Sequence, residues 1–322
     1  MTRVVLTGAA GFLGSHVAEA LVARGDQVVG LDNFDPFYGR DVKEANLASL
    51  QHSPGFSFVE GDIRDAGLVQ SVLRPGDVVV HLAARAGVRP SLEDPTLYAS
   101  VNVTGTTVLL EGARAAGVRS FVFAGSSSVY GDSAPVPFRE DYPALNPISP
   151  YAATKRAGEL LCSTFVHLYG MRVISLRFFT VYGARQRPDL AIHKFTRLMS
   201  AGQPIPVFGD GSAERDYTWV DDIVQGVVAA RDWSARDGAA FEIVNLGESE
   251  TTRLDRLIEL ISSALGVAPK IARQPPQPGD VRRTCADITR AREVLGYRPV
   301  TRIEDGIPRF VRWFKEAHGR QA

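Results

Sequence analysis

Cysteine is scarce in this chain, and net charge is absent. Among 322 residues only Cys162 and Cys285 are cysteines, and lysine plus arginine equal aspartate plus glutamate at 36 each. Two distant cysteines supply neither a disulfide framework nor a clustered metal site. A chain without net charge has no global attraction for nucleic acid or for an anionic membrane. The composition therefore predicts no metal centre, no nucleic-acid partner and a reducing compartment.

Long apolar runs are missing as well. No run approaches the roughly 20 residues that cross a bilayer, and the segment after Arg3 ends in glycines rather than at a signal-peptide cleavage site. We therefore predict a cytoplasmic protein without membrane contact. Its length suits one large domain or two intimately packed domains with a substantial core.

Short apolar runs alternate with helical patterns in the first half of the chain. Runs that are apolar throughout indicate strands buried on both faces, as in a parallel sheet covered by helices. The fold class predicted is therefore α/β, with a doubly wound parallel sheet of the Rossmann type. The predicted strands cover residues 4–6, 28–31, 56–59, 78–82, 121–124 and 173–176, and helices are predicted over 15–24 and 104–116.

After Arg177 the pattern changes to loops rich in proline and glycine. Residues 254–265 have apolar side chains at helical spacing, and Thr251 or Thr252 is the candidate N-cap of that helix. We predict a cofactor-binding domain over 1–177, with 217–247 returning to it. The remainder of 178–322 forms a smaller substrate-binding domain interleaved with the first.

The first predicted strand runs directly into a glycine turn. Gly8 and Gly11 would let backbone N–H groups approach a pyrophosphate, whose charge the following helix N-terminus favours. Gly14 would allow close packing of helix and strand. Phe12 and Leu13 lie between these glycines and are predicted to contact the cofactor. The alternative interpretation is an ordinary turn.

Asp32 ends the second predicted strand, where a carboxylate can accept hydrogen bonds from an adenosine ribose. It would repel a 2′-phosphate, so the cofactor predicted is NAD rather than NADP. Asn33 and Asp35 join it. Further cofactor contacts are predicted for Asp62 and Ile63 after the third strand, and for Leu82, Ala83 and Ala84 at the end of the fourth. The alternatives are a plain strand end for the first pair and a tight packing site for the other three.

Tyr151 and Lys155 are predicted to share one face of a helix that begins with Ser149 as N-cap and Pro150 at its first position. A tyrosine acts as a base near neutrality only if its pKa falls well below about 10. A nearby ammonium and a positive nicotinamide ring both favour the phenolate. Ser126, at the end of the fifth strand, could bridge the substrate oxygen and the phenol; the alternative is a turn with self-bonding hydroxyls.

Several segments together resemble the extended short-chain dehydrogenase/reductase family, and among its members the nucleotide-sugar epimerases, with UDP-glucuronate 4-epimerases most similar. These segments are TGAAGFLG, HLAA, SSSVYG, SPYAATK and LRFFTVYG. The resemblance implies Tyr151 as base, Lys155 as its partner and ribose ligand, and Ser126 as the hydroxyl bridge. It also implies that NAD stays bound and is regenerated in each turnover. Homodimers in the family pair two helices per subunit, here around 104–116 and 151–169.

Differences between this chain and related enzymes reduce the number of reactions that it could catalyse. Nucleotide-sugar 4,6-dehydratases carry Asp-Glu just before VYG, and UDP-glucuronate decarboxylases carry Glu there. This chain has Ser127 and Ser128 instead. We assign Ser128 to the catalytic group and Ser127 to substrate binding, and we reject dehydration because no carboxylate is available to eliminate water.

Other departures predict the substrate contacts. Thr180 stands where hexose epimerases have Asn, and Arg187 follows where the C6 substituent of a sugar would lie. Further substrate residues are Arg215 for the diphosphate with Arg282 as a substitute, Asp280 for the uridine ribose, Phe208 and Phe195 for the uracil, and Arg89 near the sugar. The alternatives are core packing for the two phenylalanines and solvated surface positions for Arg89 and Arg187.

The reaction predicted is NAD-dependent inversion at C4 of a UDP-sugar through a 4-keto intermediate, from UDP-glucuronate to UDP-galacturonate, in polysaccharide biosynthesis. The alternatives are a UDP-glucose/UDP-galactose 4-epimerase, a UDP-glucuronate decarboxylase, and a nucleotide-sensing protein without catalysis. The last would be expected to lose Tyr151, Lys155 or a serine, and all are present.

Overall fold

The computed structural model describes residues 1–275 and 281–319. Its centre is a seven-stranded parallel sheet with the order β11-β6-β5-β4-β1-β2-β3. From β1 in the middle, the chain builds outward first through β2 and β3, then on the other side through β4, β5 and β6. The order reverses between β1 and β4, the point where doubly wound sheets bind their ligands. The predicted fold is confirmed.

Five of the six predicted strands lie within observed ones, and the sixth, predicted over 78–82, extends one residue past the observed strand Val78–His81. The strands of the central sheet are β1 (Arg3–Thr7), β2 (Gln27–Asp32), β3 (Phe56–Glu60), β4 (Val78–His81), β5 (Ser120–Ser126), β6 (Arg172–Phe178) and β11 (Ala240–Leu246). Three small two-stranded sheets lie in the second half of the chain: β7 (Thr180–Tyr182) with β10 (Tyr217–Trp219), β8 (Ile205–Phe208) with β13 (Ile271–Gln274), and β9 (Glu214–Arg215) with β12 (Thr252–Arg253).

The helices alternate with these strands. They are α1 (Phe12–Ala23), α2 (Arg40–Leu47), α3 (Ala66–Val72), α4 (Val88–Glu93), α5 (Pro95–Ala99), α6 (Thr106–Ala115), α7 (Pro150–Tyr169), α8 (Ala191–Ser200), α9 (Val220–Ser234), α10 (Leu254–Leu265), α11 (Thr289–Leu295) and α12 (Ile303–His318). A π-helical segment, Ser100–Gly105, leads into α6, so the helix predicted over 104–116 is the end of a longer helical stretch. Within the part of the chain that the structure describes, every helix is too short or too polar to cross a bilayer.

The central sheet is buried on both faces, which explains its uninterrupted apolar runs. Val4 and Leu6 belong to one core cluster, which also contains side chains of α1 and α9. Val5 belongs to a second cluster, with side chains of α3, α6 and α7. Successive residues of a strand point to opposite faces, so a strand covered on both sides has apolar residues at consecutive positions.

The second half of the chain crosses back to the central sheet. Helix α9 contacts β5 and β6, and β11 pairs in parallel with β6 along Ala240–Leu246. Residues 220–246 thus lie with the sheet, while α8, α10 and α12 pack together beside it. The domain boundaries drawn from the sequence stay a prediction.

One predicted cap is wrong. Helix α10 begins at Leu254 with Arg253 at the N-cap, and no side chain caps it. Thr251 instead donates its hydroxyl to the Glu214 carboxylate at 3.0 Å, and Thr252 pairs with Arg215 in β12. Tertiary contacts to β9 hold both threonines before the helix starts.

Candidate active site

A cleft opens at the carboxyl ends of β1, β2, β3, β4 and β5, where the strand order reverses. Every residue that the sequence assigned to the cofactor lines it, and Arg187 does so too. The predicted cofactor residues on its wall are Gly8, Gly11, Phe12, Leu13, Gly14, Asp32, Asn33, Asp35, Asp62, Ile63, Leu82, Ala83, Ala84, Tyr151 and Lys155. The fold therefore gathers residues that are up to about 150 positions apart in sequence.

The glycine turn after β1 leaves no space for side chains. Gly8 has φ +74°, and a Cβ there would lie 2.8 Å from the backbone N of Ala83. A Cβ on Gly14 would lie 1.9 Å from the carbonyl oxygen of Gly8. The start of α1 thus packs closely against the turn that follows β1. Gly11 is the N-cap of α1 without a side-chain cap, so the backbone forms this wall of the cleft and can cradle a pyrophosphate.

Asp32 is held at the end of β2 by hydrogen bonds from two backbone amides. The N–H groups of Ala10 and Phe34 donate to its carboxylate at 3.1 Å and 2.9 Å. Burial raises the pKa of Asp32, and the nearby charge of Lys43, whose Nζ lies 3.7 Å from the carboxylate, opposes that rise. Asn33 donates to Asp62 at 2.9 Å, which joins two predicted cofactor residues. These groups suit the hydroxyls of a ribose.

The helix α7 begins as predicted. Ser149 accepts a hydrogen bond from the N–H of Ala152 at 3.1 Å, and Pro150 occupies the first position. Tyr151 and Lys155, one turn apart, both line the cleft. The ammonium of Lys155 donates to the carbonyl of Ala124 at 2.8 Å. Burial lowers the pKa of Lys155 to about 8, and the charge of Glu159, a turn further along, opposes this.

Burial and two neighbouring side chains act on the pKa of Tyr151. Burial raises the pKa of the Tyr151 phenol, while a hydrogen bond with Ser126 and the charge of Arg187 lower it. We predicted Lys155 as the cation that lowers this pKa. The charge of Arg187 acts in this direction, while the ammonium of Lys155 donates to the backbone of β5; the effect of Lys155 on the phenol stays a prediction. An arginine 36 positions away in sequence is therefore part of the electrostatics of the candidate base.

Ser126 ends β5 and contacts both its own turn and the tyrosine. Its hydroxyl accepts from the N–H of Ser128 at 3.2 Å, and Ser127–Tyr130 form a short 3₁₀ turn after it. The self-bonding turn and the contact with Tyr151 therefore coexist. Ser127 and Ser128 are half-buried in this turn; their roles stay predictions.

Arg187 stands beside Tyr151 on the cleft wall. Its guanidinium binds the carboxylate of Asp189 through two hydrogen bonds, Nε to Oδ1 at 3.0 Å and Nη2 to Oδ2 at 2.7 Å. It also lies 4.9 Å over the ring of Phe37. The Arg187 side chain is only 15% exposed, which disfavours the solvated alternative. Thr180 begins β7 and is half-buried.

The other predicted substrate residues lie outside the described lining of this cleft. The guanidinium of Arg89 stacks on the ring of Phe208 at 4.5 Å, so those two are together. Arg215 donates to the carbonyl of Arg282 at 3.3 Å, so those two cations are also adjacent. Phe195 is 5% exposed and belongs to the main core cluster, which agrees with the alternative that it packs in the core. Asp280 lies outside the described residues.

Sequence reasoning missed one group of cleft residues. Phe37, Tyr38, Lys43 and Arg85 line the cleft, and Phe37 lies between the guanidinium groups of Arg85 and Arg187 at 4.8 Å and 4.9 Å. The one signal in the sequence was the group of aromatic residues directly after Asp32 and Asn33. No spacing rule places that loop against Arg187.

Comparison with known proteins agrees with this geometry. A sequence model of the epimerase family, described as the NAD dependent epimerase/dehydratase family, matches residues 4–247. UDP-glucuronate 4-epimerase of Thermodesulfobacterium geofontis is 39% identical over 319 residues, which cover 98% of this chain and 97% of that protein.

Solved structures show the same backbone. The structure of UDP-glucuronic acid 4-epimerase from Bacillus cereus, in complex with UDP-glucuronic acid and NAD, has a TM-score of 0.90 at 34% identity and covers 98% of this chain and 100% of that chain. DesIV, a dTDP-glucose 4,6-dehydratase from Streptomyces venezuelae, has a TM-score of 0.91 at 33% identity. The match covers 99% of this chain and 98% of that chain. Since the backbone is common to both, side chains must separate the reactions.

The family match covers more than half of the chain, and the relatives align over nearly all of it. These similarities confirm the doubly wound fold, NAD as the cofactor, and an enzyme of the epimerase kind. The chain belongs to the NAD dependent epimerase/dehydratase family.

Proposed function

We propose that this enzyme inverts C4 of UDP-glucuronate to give UDP-galacturonate. The observation that carries the proposal is that Tyr151 and Arg187 line one cleft and interact electrostatically. A base beside a buried guanidinium suits a sugar that carries a carboxylate near its reacting carbon. The names of the similar proteins in Thermodesulfobacterium geofontis and Bacillus cereus support the same substrate.

The side chains of the cleft account for the proton transfers. Tyr151 removes the proton of the C4 hydroxyl and later returns it on the other face of the sugar, with the Ser126 hydroxyl bridging phenol and substrate oxygen. Bound NAD accepts a hydride from C4 and gives it back. The glycine turn, through which Gly8, Gly11 and Gly14 line the cleft, fits that cofactor. Lys155 and Asp32 are proposed to hold its two riboses.

Epimerisation requires both faces of a 4-keto sugar to reach the same position. The reacting atoms must be held about 3–3.5 Å apart in both poses, so the fixed anchor is proposed to be the nucleotide. Arg215 with Arg282 would bind the diphosphate, since the two are adjacent. Phe208 with Arg89, which stack on each other, would lie at the uracil and the sugar. Asp280 is proposed to contact the uridine ribose, whereas Phe195, which lies in the core, is not proposed as a uracil contact.

Serines rather than carboxylates follow β5, and this favours epimerisation over related reactions. Ser127 and Ser128 form the turn next to Ser126, and neither can act as the acid or base that dehydration needs. Thr180 and Arg187 are proposed to bind the substrate carboxylate, with Ser127 as a further contact.

The enzyme is further proposed to be a cytoplasmic homodimer that supplies polysaccharide biosynthesis. Support for a dimer comes from α7, where Leu160 and Leu168 are 54% and 58% exposed and Tyr169 is 42% exposed. An apolar stripe of this kind on a surface helix suits a helix-pairing interface with α6. Light scattering at several concentrations tests the dimer, and Leu160→Glu should shift the mass to that of one chain.

The proposed reaction is tested by incubating the purified protein with UDP-glucuronate and, separately, with UDP-glucose, followed by NMR of the products. UDP-galacturonate from the first and no epimer from the second is the expected result. Conversion of UDP-glucose alone would show a hexose epimerase, and release of CO2 with a pentose product would show a decarboxylase.

A further inference from the structure

The guanidinium of Arg187 is held by neighbours on one edge and on one face. Asp189, two residues along the chain, takes the Nε–Nη2 edge through two hydrogen bonds of 3.0 Å and 2.7 Å. The ring of Phe37 covers a face at 4.9 Å. The side chain of Arg187 is 15% exposed and that of Asp189 is 43% exposed, so Asp189 lies on the solvent side of Arg187.

Asp189 uses only part of the hydrogen-bonding capacity of the arginine. A guanidinium has five N–H donors in a rigid plane, and Asp189 accepts from one on Nε and one on Nη2. Among residues 1–275 and 281–319, no further hydrogen bond from Arg187 to the protein is found beyond these two. The Nη1–Nη2 edge can therefore meet a second carboxylate through two parallel bonds. Because the group is planar and rigid, fixing one edge fixes the direction of the other.

Phe37 restrains the same guanidinium from the cofactor side. Its ring lies between Arg187 and Arg85, and Arg85 pairs with the carboxylate of Asp35. Asp35 is a predicted ribose contact on the loop after β2. The loop that would hold the cofactor thus also contacts Arg187, and the ring of Phe37 limits the space into which the guanidinium could move on that side.

We propose that Asp189 is a positioning residue that sets the preference for uronate sugars: by holding Arg187 at one edge, it turns the Nη1–Nη2 edge toward the substrate carboxylate beside Tyr151. The inference rests on the proposed function, since it requires a carboxylate on the substrate. Asp189 itself does not touch the sugar. Its effect should therefore appear with substrates that carry C6 as a carboxylate, and should be absent with those that carry a hydroxymethyl group.

Binding by NAD-loaded protein that carries Tyr151→Phe tests this without turnover during the titration. Calorimetry gives Kd for UDP-glucuronate and for UDP-glucose, with and without Asp189→Asn. We expect the substitution to raise Kd for UDP-glucuronate about tenfold, as loss of a charged hydrogen-bond partner does, and to leave Kd for UDP-glucose within about twofold. Asn has the size of Asp, so the loop keeps its packing.

Asp141→Asn is the matched control. Arg139 and Asp141 form the same kind of pair, with the acid two residues after the arginine and both Nε and Nη2 at 3.3 Å from the carboxylate. That pair is exposed, and neither residue is among those that line the cleft. Both Kd values should be unchanged in this control.

Three results would overturn the inference. Tighter binding of UDP-glucuronate by Asp189→Asn would show that Asp189 competes with the substrate for Arg187. Equal losses of affinity for both sugars would show that Asp189 has only a general structural role. Unchanged Kd values would show that it has no role in binding. If the protein with Asp189 intact binds UDP-glucuronate no better than UDP-glucose, the proposed function itself fails and the inference falls with it.

Discussion

Tyr151 is surrounded by groups that act on its proton in opposite directions. Burial raises the pKa of the phenol, and Ser126 and Arg187 lower it. Arg187 thus serves two purposes in the proposed mechanism: it binds the substrate carboxylate and it favours the phenolate. A single charge can do both because the cleft is buried, and charges interact strongly where water is excluded.

Replacing the candidate base tests its role at the scale of one atom. Tyr151→Phe removes the hydroxyl and keeps the ring, so we expect turnover of UDP-glucuronate to fall by roughly 10²–10⁴-fold, the usual contribution of general-base transfer. Binding of UDP-glucuronate, measured by calorimetry, should be nearly unchanged. Tyr169→Phe, on an exposed tyrosine of α7, is the control. Turnover near that of the parent enzyme would remove Tyr151 from the mechanism.

Arg187→Ala should change both binding and product. Oxidation at C4 of a glucuronate gives a β-keto acid, and such an acid loses CO2 when the C5–C6 bond aligns with the carbonyl π system. That bond breaks, its electron pair forms an enolate, and a proton from water completes the 4-keto-pentose. A guanidinium that fixes both carboxylate oxygens keeps the bond out of alignment.

We therefore expect Arg187→Ala to weaken the binding of UDP-glucuronate by about 2–4 kcal/mol, far more than it weakens the binding of UDP-glucose. The variant should also release more CO2 per turnover. The readouts are calorimetry for both sugars and NMR of the products. Unchanged affinity together with unchanged CO2 would place the carboxylate elsewhere, with Arg89 the next candidate.

At the scale of elements, α7 carries three polar side chains at four-residue spacing: Tyr151, which is half-buried, and Lys155 and Glu159, which are buried. Glu159 is fully buried and binds Arg177 of β6 through two hydrogen bonds of 2.8 Å and 2.9 Å. Arg177 lies opposite Gly125 in the sheet, one residue before Ser126. The Glu159–Arg177 pair therefore fastens the helix that carries Tyr151 to the edge that carries Ser126.

Glu159→Gln should be strongly destabilising, because it leaves the Arg177 charge buried without its anion. Breaking a buried pair in this way costs about 3–5 kcal/mol of the free energy of unfolding, which urea denaturation measures. Glu111→Gln, which removes the partner of Arg114 in an exposed pair on α6, is the matched control and should cost far less. Similar losses in the two variants would contradict the role of the buried pair.

At the scale of the whole molecule, the cleft depends on segments that meet only when the sheet is complete. Walls from β1, β2 and β4, the start of α7 and the loop at Arg187 enclose one space. The sugar reaction uses and restores the same cofactor, so the cofactor has no need to leave between turnovers.

We accordingly expect the protein to purify with NAD(H) bound, and to need little or no added NAD for turnover. Absorbance of the denatured supernatant, with enzymatic assay of NAD and NADH, measures the bound fraction. Gly14→Val should abolish cofactor binding, because a side chain there meets the carbonyl of Gly8, while Gly319→Ala, at a position with φ −74° and open space around it, should not. Protein that is free of cofactor and consumes NAD stoichiometrically would be a dehydrogenase.

The sequence by itself determined the strands of the central sheet, the glycine turn and the start of α7, because each is governed by neighbours within a few residues. Apolar runs such as 78–82 require burial on both faces, and Ser149 with Pro150 specifies a helix start locally. Tertiary structure alone decided that Arg187 comes close enough to Tyr151 for its charge to lower the pKa of the phenol. It also decided the contact of Phe37 with Arg187 and the failure of Thr251 to cap α10. These depend on distances between segments far apart in the chain, and such distances exist only after the sheet and its helices have packed.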